Sequence, residues 1–114
     1  MDDRIGARKE FILDRSPARI RRLAAAVEAV CDPLVAGDAE AVHKKLDEVS
    51  WMIGWALPGE VPDVQSELVE LHLALPGWDW ADQGVLDRLV ARDHVIAWAE
   101  RLRWLASRLE ATSS

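Results

Sequence analysis

The sequence predicts an all-α fold: a small bundle of four to five helices whose last member is long. Three observations carry that expectation. Apolar residues recur at intervals of three and four along most of the chain, and no run alternates apolar with polar residues as a half-buried strand would. The gaps between these runs hold helix punctuation, namely Ser-Pro at 16–17, Gly-Asp at 37–38 and Leu-Pro-Gly at both 57–59 and 75–77. The chain has 114 residues, half of them hydrophobic, which suits a single domain, 1–114, with its own core.

Taken in order, residues 4–14 place Ile5, Phe11 and Ile12 on a short, loosely attached N-terminal helix. Ser16 then reads as an N-cap with Pro17 at the first helical position. Ile20, Leu23, Ala24, Val27, Val30 and Cys31 follow as one buried stripe. Pro33 disfavours helix at Asp32, Gly37 closes the connection, and Asp38 is placed to cap the next helix. That helix runs from about Ala39 to Ala56 on a stripe of Val42, Leu46, Val49 and Ile53. Trp51 and Trp55 fall nearly opposite this stripe, while Ser50 and Gly54 lie on a flank open to close approach by another backbone.

The first Leu-Pro-Gly ends the helix. Its proline is expected to push Leu57 out of helical geometry and its Gly59 to take a positive φ. Pro62 opens the next helix with Asp63 near the positive end of its dipole, and Val64, Leu68, Leu71 and Leu75 form the stripe. The second Leu-Pro-Gly stops it. Asp79, with Asp82 three residues on, is placed to cap a last helix reaching about Glu110, and residues 111–114 read as a disordered tail. This last stretch changes phase. Val85, Leu89 and Ile96 share one side; Ala91, Val95, Trp98, Leu102, Leu105 and Leu109 share another. Either the helix is buried all round in its middle or it breaks near residues 92–93.

Charge is unevenly distributed. The net charge is -6, but from Leu46 to Asp87 there are nine acids and no Lys or Arg. The flanking segments are mildly basic, so the arginines at 19, 21 and 22 and at 101, 103 and 108 are expected to offset the acids across the bundle. An acidic middle disfavours direct nucleic-acid binding. No apolar run approaches the roughly 20 residues needed to span a bilayer, and the charged N-terminus has no secretory core. One cysteine excludes an intrachain disulfide, so a cytoplasmic location is expected. The absence of Asn and Tyr and the excess of Arg over Lys suit a GC-rich bacterial or phage gene.

Candidate chemistry is sparse. His43, His72 and His94 fall on three different expected helices, and Glu40-x-x-His43 matches half of a carboxylate-bridged metal motif without its second copy. Cys31 sits on a core stripe and reads as a structural thiol. No phosphate loop, dinucleotide fingerprint or zinc-ligand cysteine pair is present, so no cofactor or metal is implied. Arg88 and His94, with Arg92 between them, resemble the arginine-and-histidine motif of HEPN-type ribonucleases, although Leu89 stands where a polar residue is usual. That resemblance implies an RNA-cleaving site on Arg88 and His94 as one alternative. An indole-lined ligand pocket is another.

The favoured expectation rests on tryptophan. Four of the six indoles flank the two Leu-Pro-Gly copies, inside the acidic segment. Indoles stack on guanidinium groups and carboxylates pair with them, which suits a basic protein partner or, if the face is self-complementary, a second copy. The expected contact face is Trp51, Trp55, Trp78 and Trp80, edged by Asp63, Glu67 and Glu70.

Overall fold

Each helix begins and ends for a local reason, and the tertiary contacts then modify several of those ends. The computed structural model describes residues 15–79 and 81–113. Within them lie α1 (Ser16–Glu28), α2 (Cys31–Ala36), α3 (Ala39–Ala56), α4 (Pro62–Ala74) and α5 (Val85–Ser113). Two 3-10 turns, Leu57–Gly59 and Leu75–Trp78, follow α3 and α4. No strand occurs among the described residues. The expected helix over 4–14 and its loose attachment lie outside them.

α1 buries Ile20, Leu23, Ala24 and Val27, the stripe read from the sequence. Its start differs from expectation. Ser16 makes no cap; its hydroxyl donates instead to the Glu60 carboxylate across the fold. α2 also departs, because Asp32 and Pro33 both lie in its first turn. A first-turn proline costs no hydrogen bond, since the N–H groups there have no intrahelical acceptor. Gly37 ends α2 at φ 74°, the only positive φ among the described residues. The Asp38 N–H then reaches back to the Pro33 carbonyl at 2.9 Å, as in a Schellman motif. Asp38 caps α3 by accepting from the Ala41 N–H at 3.1 Å.

α3 and α4 have the expected bounds and stripes: Val42, Leu46, Val49 and Ile53 are buried on one, Val64, Leu68 and Leu71 on the other, and Leu75 just beyond. The Leu-Pro-Gly copies work differently from expectation. Leu57 stays helical (φ -49°, ψ -51°), and neither Gly59 nor Gly77 has a positive φ. Each tripeptide tightens the last turn into 3-10 geometry, and the chain becomes extended only at Glu60 (φ -106°, ψ 155°). Proline supports this because its fixed φ fits a 3-10 turn while its missing N–H ends the α-helical ladder. Gly54 is exposed, and a Cβ there would meet nothing within 4 Å, so no backbone approaches the flank proposed for it.

α5 begins at Val85 rather than after Asp79, is continuous through 92–93, and continues to Ser113 where a tail was expected. Its buried seam is Ala91, Val95, Ala99, Leu102 and Ala106. Three of these are alanines, which let α1 lie close along α5 in the most extensive helix pairing of the fold. The alternative phase is solvent-facing: Val85 is 61% exposed and Ile96 37%. No described helix is long and apolar enough to cross a membrane.

Candidate functional site

The first Leu-Pro-Gly turn is tied to its neighbours through Glu60. Its side chain is 1% exposed. Oε1 accepts from Arg19 Nε at 2.9 Å and Arg19 Nη2 at 2.7 Å, and Oε2 accepts from the Ser16 hydroxyl. A buried carboxylate is tolerable when its lone pairs are filled and a cation faces it. Gly59 belongs to this arrangement, because a Cβ there would lie 3.2 Å from Arg19 Nη2. The first turn is thereby tied to α1, and Gln65 Nε2 donates to the Leu57 carbonyl at 2.8 Å to tie it to α4.

The residues expected to form one contact face are dispersed. Trp55 is 53% exposed, and its ring lies 5.8 Å from that of Trp51 at an interplanar angle of 44°. Trp51 itself is half-buried against the core. Trp78 is 3% exposed, so it is a core residue and not part of any face. The physical reason is the 3-10 turn, which carries Trp78 inward over the end of α4 instead of leaving it in an open loop. Trp80 lies outside the described residues. Glu67 and Glu70 are both held by Arg101: Glu67 Oε2 lies 2.5 Å from Arg101 Nε, and Glu70 Oε2 accepts from Arg101 Nη2 at 3.0 Å. Hydrogen bonding to Glu67 raises the Arg101 pKa above its ordinary value, against a smaller opposing effect of burial. Arg19 on Glu60 and Arg101 on Glu67 and Glu70 thus offset acids of the middle segment, whereas Arg21 pairs with Glu110 and Arg103 with Glu28, acids of the flanks themselves.

An indole and carboxylates do meet, but the indole is Trp104. A groove of about 360 Å³ runs between α4 and the C-terminal half of α5. It is lined by the apolar Val61, Val64, Leu105 and Leu109 and by Asp63, Glu67, Trp104 and Arg108. Trp104 is 58% exposed, and the Arg108 guanidinium lies 5.0 Å from its ring centroid. Arg101 stacks similarly on Trp98, 4.6 Å from the centroid, and Trp98 is half-buried against the core rather than within it. The chain's own arginines thus already occupy two cation positions, one over an indole and one between carboxylates. Arg108 over Trp104 is exposed, and an exposed contact of this kind contributes only about 0–1 kcal/mol; a guanidinium from outside can replace it at small cost. Arg101 is held more firmly, by two contacts to Glu67, one to Glu70 and the Trp98 ring.

The remaining candidates are separated. His43 and His72 share a shallow groove with Asp47 and Asp79, where His43 Nε2 lies 3.5 Å from Asp79 Oδ1. No group of three or more His, Cys, Asp or Glu among the described residues is arranged to hold a metal ion. Glu40 pairs with Lys44 one turn on. Arg88 is half-buried and donates to the Val35 carbonyl at 3.0 Å, while His94 is exposed on α5. Cys31 is half-buried, at the edge of a groove with Glu28, Asp32 and Ile96, not within the core. Burial first, then the nearby Glu28 and Asp32 carboxylates, raise its thiol pKa, with Arg92 opposing.

Trp104 was not among the residues expected on the contact face. The sequence places it off the apolar stripe of the last helix, as it places Trp51 and Trp55 off theirs. No protein-family model, no curated protein and no solved structure matches the chain.

Proposed function

We propose that the chain is a non-enzymatic protein-interaction module, an adaptor, inhibitor or regulator, that binds a basic segment of a partner protein at the groove between α4 and α5. The observation that supports this reading is the joining of the exposed Trp104 ring with Asp63 and Glu67 beside apolar lining residues. The acids steer a basic partner in, the apolar lining supplies burial, and the indole accepts a guanidinium on its face. Arg108 on Trp104 is an internal stand-in for the partner's cation. The partner gains by replacing it because its cation arrives together with apolar surface, which the resident arginine does not supply.

The test compares proteins retained from the source cell by the wild-type chain and by Trp104→Ala and Asp63→Asn variants, with mass-spectrometric identification. A partner with a basic surface, retained by the wild type, released by added salt and lost with both variants, supports the reading. If both variants retain the same proteins in the same amounts, the groove is not the contact.

A further inference from the structure

α5 carries a second face that no other described element covers. Its buried seam turns one side toward α1. Roughly half a turn round the helix at 100° per residue lie Leu86, Val90, Asp93, Ala97, Glu100 and Trp104. All six are exposed. Their spacing alternates four and three, which keeps them in one file along the helix. Leu86 is 79% exposed and Val90 48%, and Ile96 widens the apolar surface on one flank. The stripe ends at Trp104, in the groove already described.

From this geometry we infer that the stripe is the docking seam for one amphipathic helix of the basic partner. That helix carries two Lys or Arg residues one heptad apart, facing Asp93 and Glu100. The inference rests on the interaction reading above and adds the shape of the partner. Charge decides which occupant fits. A helix-pairing seam ordinarily holds apolar residues, and here two of its six positions are acids about 10.5 Å apart along the axis, from seven residues at 1.5 Å each. A second copy of this chain would bury those acids against its own acidic seam, on a molecule of net charge -6. A partner helix with cations at the matching spacing neutralises both. The flanking arginines serve this purpose only in part. Arg103 pairs with Glu28 on α1, and Arg101 turns to Glu67 and Glu70 on α4. Arg92 reaches Asp93 at 3.2 Å from the side, in an exposed pair that a facing cation can share. Leu86 and Val90 then pack on apolar residues at one end of the incoming helix, and Trp104 receives its other end, about 27 Å away over eighteen residues.

The experiment uses the full chain and labelled synthetic helices read by fluorescence anisotropy. One peptide has leucine at the seam positions and two lysines seven residues apart. A second has glutamate for both lysines, and a third has the same lysines moved off the seam. The lysine-seam peptide is expected to bind the wild type about tenfold more tightly than either control, a preference that added salt weakens. Asp93→Lys combined with Glu100→Lys should reverse the preference toward the glutamate peptide, and Leu86→Lys should weaken the lysine-seam peptide about tenfold. Circular dichroism checks that each variant is folded. Equal binding of the three peptides, or no reversal in the charge-swapped protein, overturns the inference. So does a wild-type dimer in sedimentation that Leu86→Lys dissociates, because a second copy would then occupy the seam. Leu86 lies far from the groove, so the two readings separate. A natural partner whose retention depends on Trp104 and Asp63 but not on Leu86 leaves the interaction reading standing and removes the helix seam.

Discussion

Replacing Glu60 by alanine is expected to remove about 3 kcal/mol of stability, the largest single-site loss outside the apolar core. The carboxylate accepts two N–H groups of Arg19 and the hydroxyl of Ser16, and it is almost completely buried. Truncation leaves the Arg19 guanidinium, only 12% exposed, facing a hole. Breaking a buried pair by deleting one member costs about 3–5 kcal/mol, and the partial exposure of Arg19 argues for the low end. For a domain of about 5–15 kcal/mol total stability that is a large fraction. At roughly 4 °C per kcal/mol for a chain of this length, Tm should fall by about 10–15 °C. Glu60→Gln keeps an acceptor for Arg19 while losing the charge, and should cost about 1–2 kcal/mol. In Arg19→Leu combined with Glu60→Leu no ion is stranded, so the double variant should lose less than the sum of its singles by about 2 kcal/mol. Urea unfolding followed by circular dichroism at constant m-value gives each number. A Glu60→Ala protein within about 0.5 kcal/mol of wild type would refute the reasoning, since it would mean that water already satisfies both partners.

Three further outcomes follow from the same geometry. Gly54→Ala should stabilise the protein by about 0.5 kcal/mol, because the residue is helical, in the last turn of α3, and its flank is open; a loss in thermal unfolding would contradict the open flank. Gly37→Ala should cost about 1–2 kcal/mol, because the residue holds a φ of 74° and a Cβ would also crowd Arg88 and the Ala81 carbonyl; an unchanged Tm would count against both. Cys31 should react with iodoacetamide more slowly than a free thiol at mildly alkaline pH, since its thiolate forms only at higher pH. Its folded pKa lies above the unfolded one, so the folded state holds its proton longer. Stability is therefore full below the unfolded thiol pKa, about 8.5, and declines as pH rises through the folded one. Cys31→Ala should remove that part of the decline in a pH series of urea unfolding curves.

The helices were legible from residue order because their causes are local. Proline and glycine set the ends of α3 and α4, and three-and-four spacing marked the stripes that the core buries. The same spacing separated the two sides of α5, but it could not say which one faces the protein. α1 settled that by packing on alanines whose side chains carry little apolar weight in a sequence and much value in allowing close approach. Ser16 looked like a cap because a cap needs only a nearby N–H. Its hydroxyl went to Glu60 because the fold brings a buried carboxylate within reach from 44 residues away. Trp78, expected on the contact face, is buried for the same reason: indole chemistry is fixed by the residue, while exposure is fixed by the neighbours the tertiary structure supplies. Sequence alone determined that the chain is helical, where α3 and α4 lie, and that an acidic middle stands between basic flanks. Only the packed structure decided which acids are held by arginines, which indole stands beside them, and which side of the last helix remains open, because each depends on contacts between residues far apart along the chain.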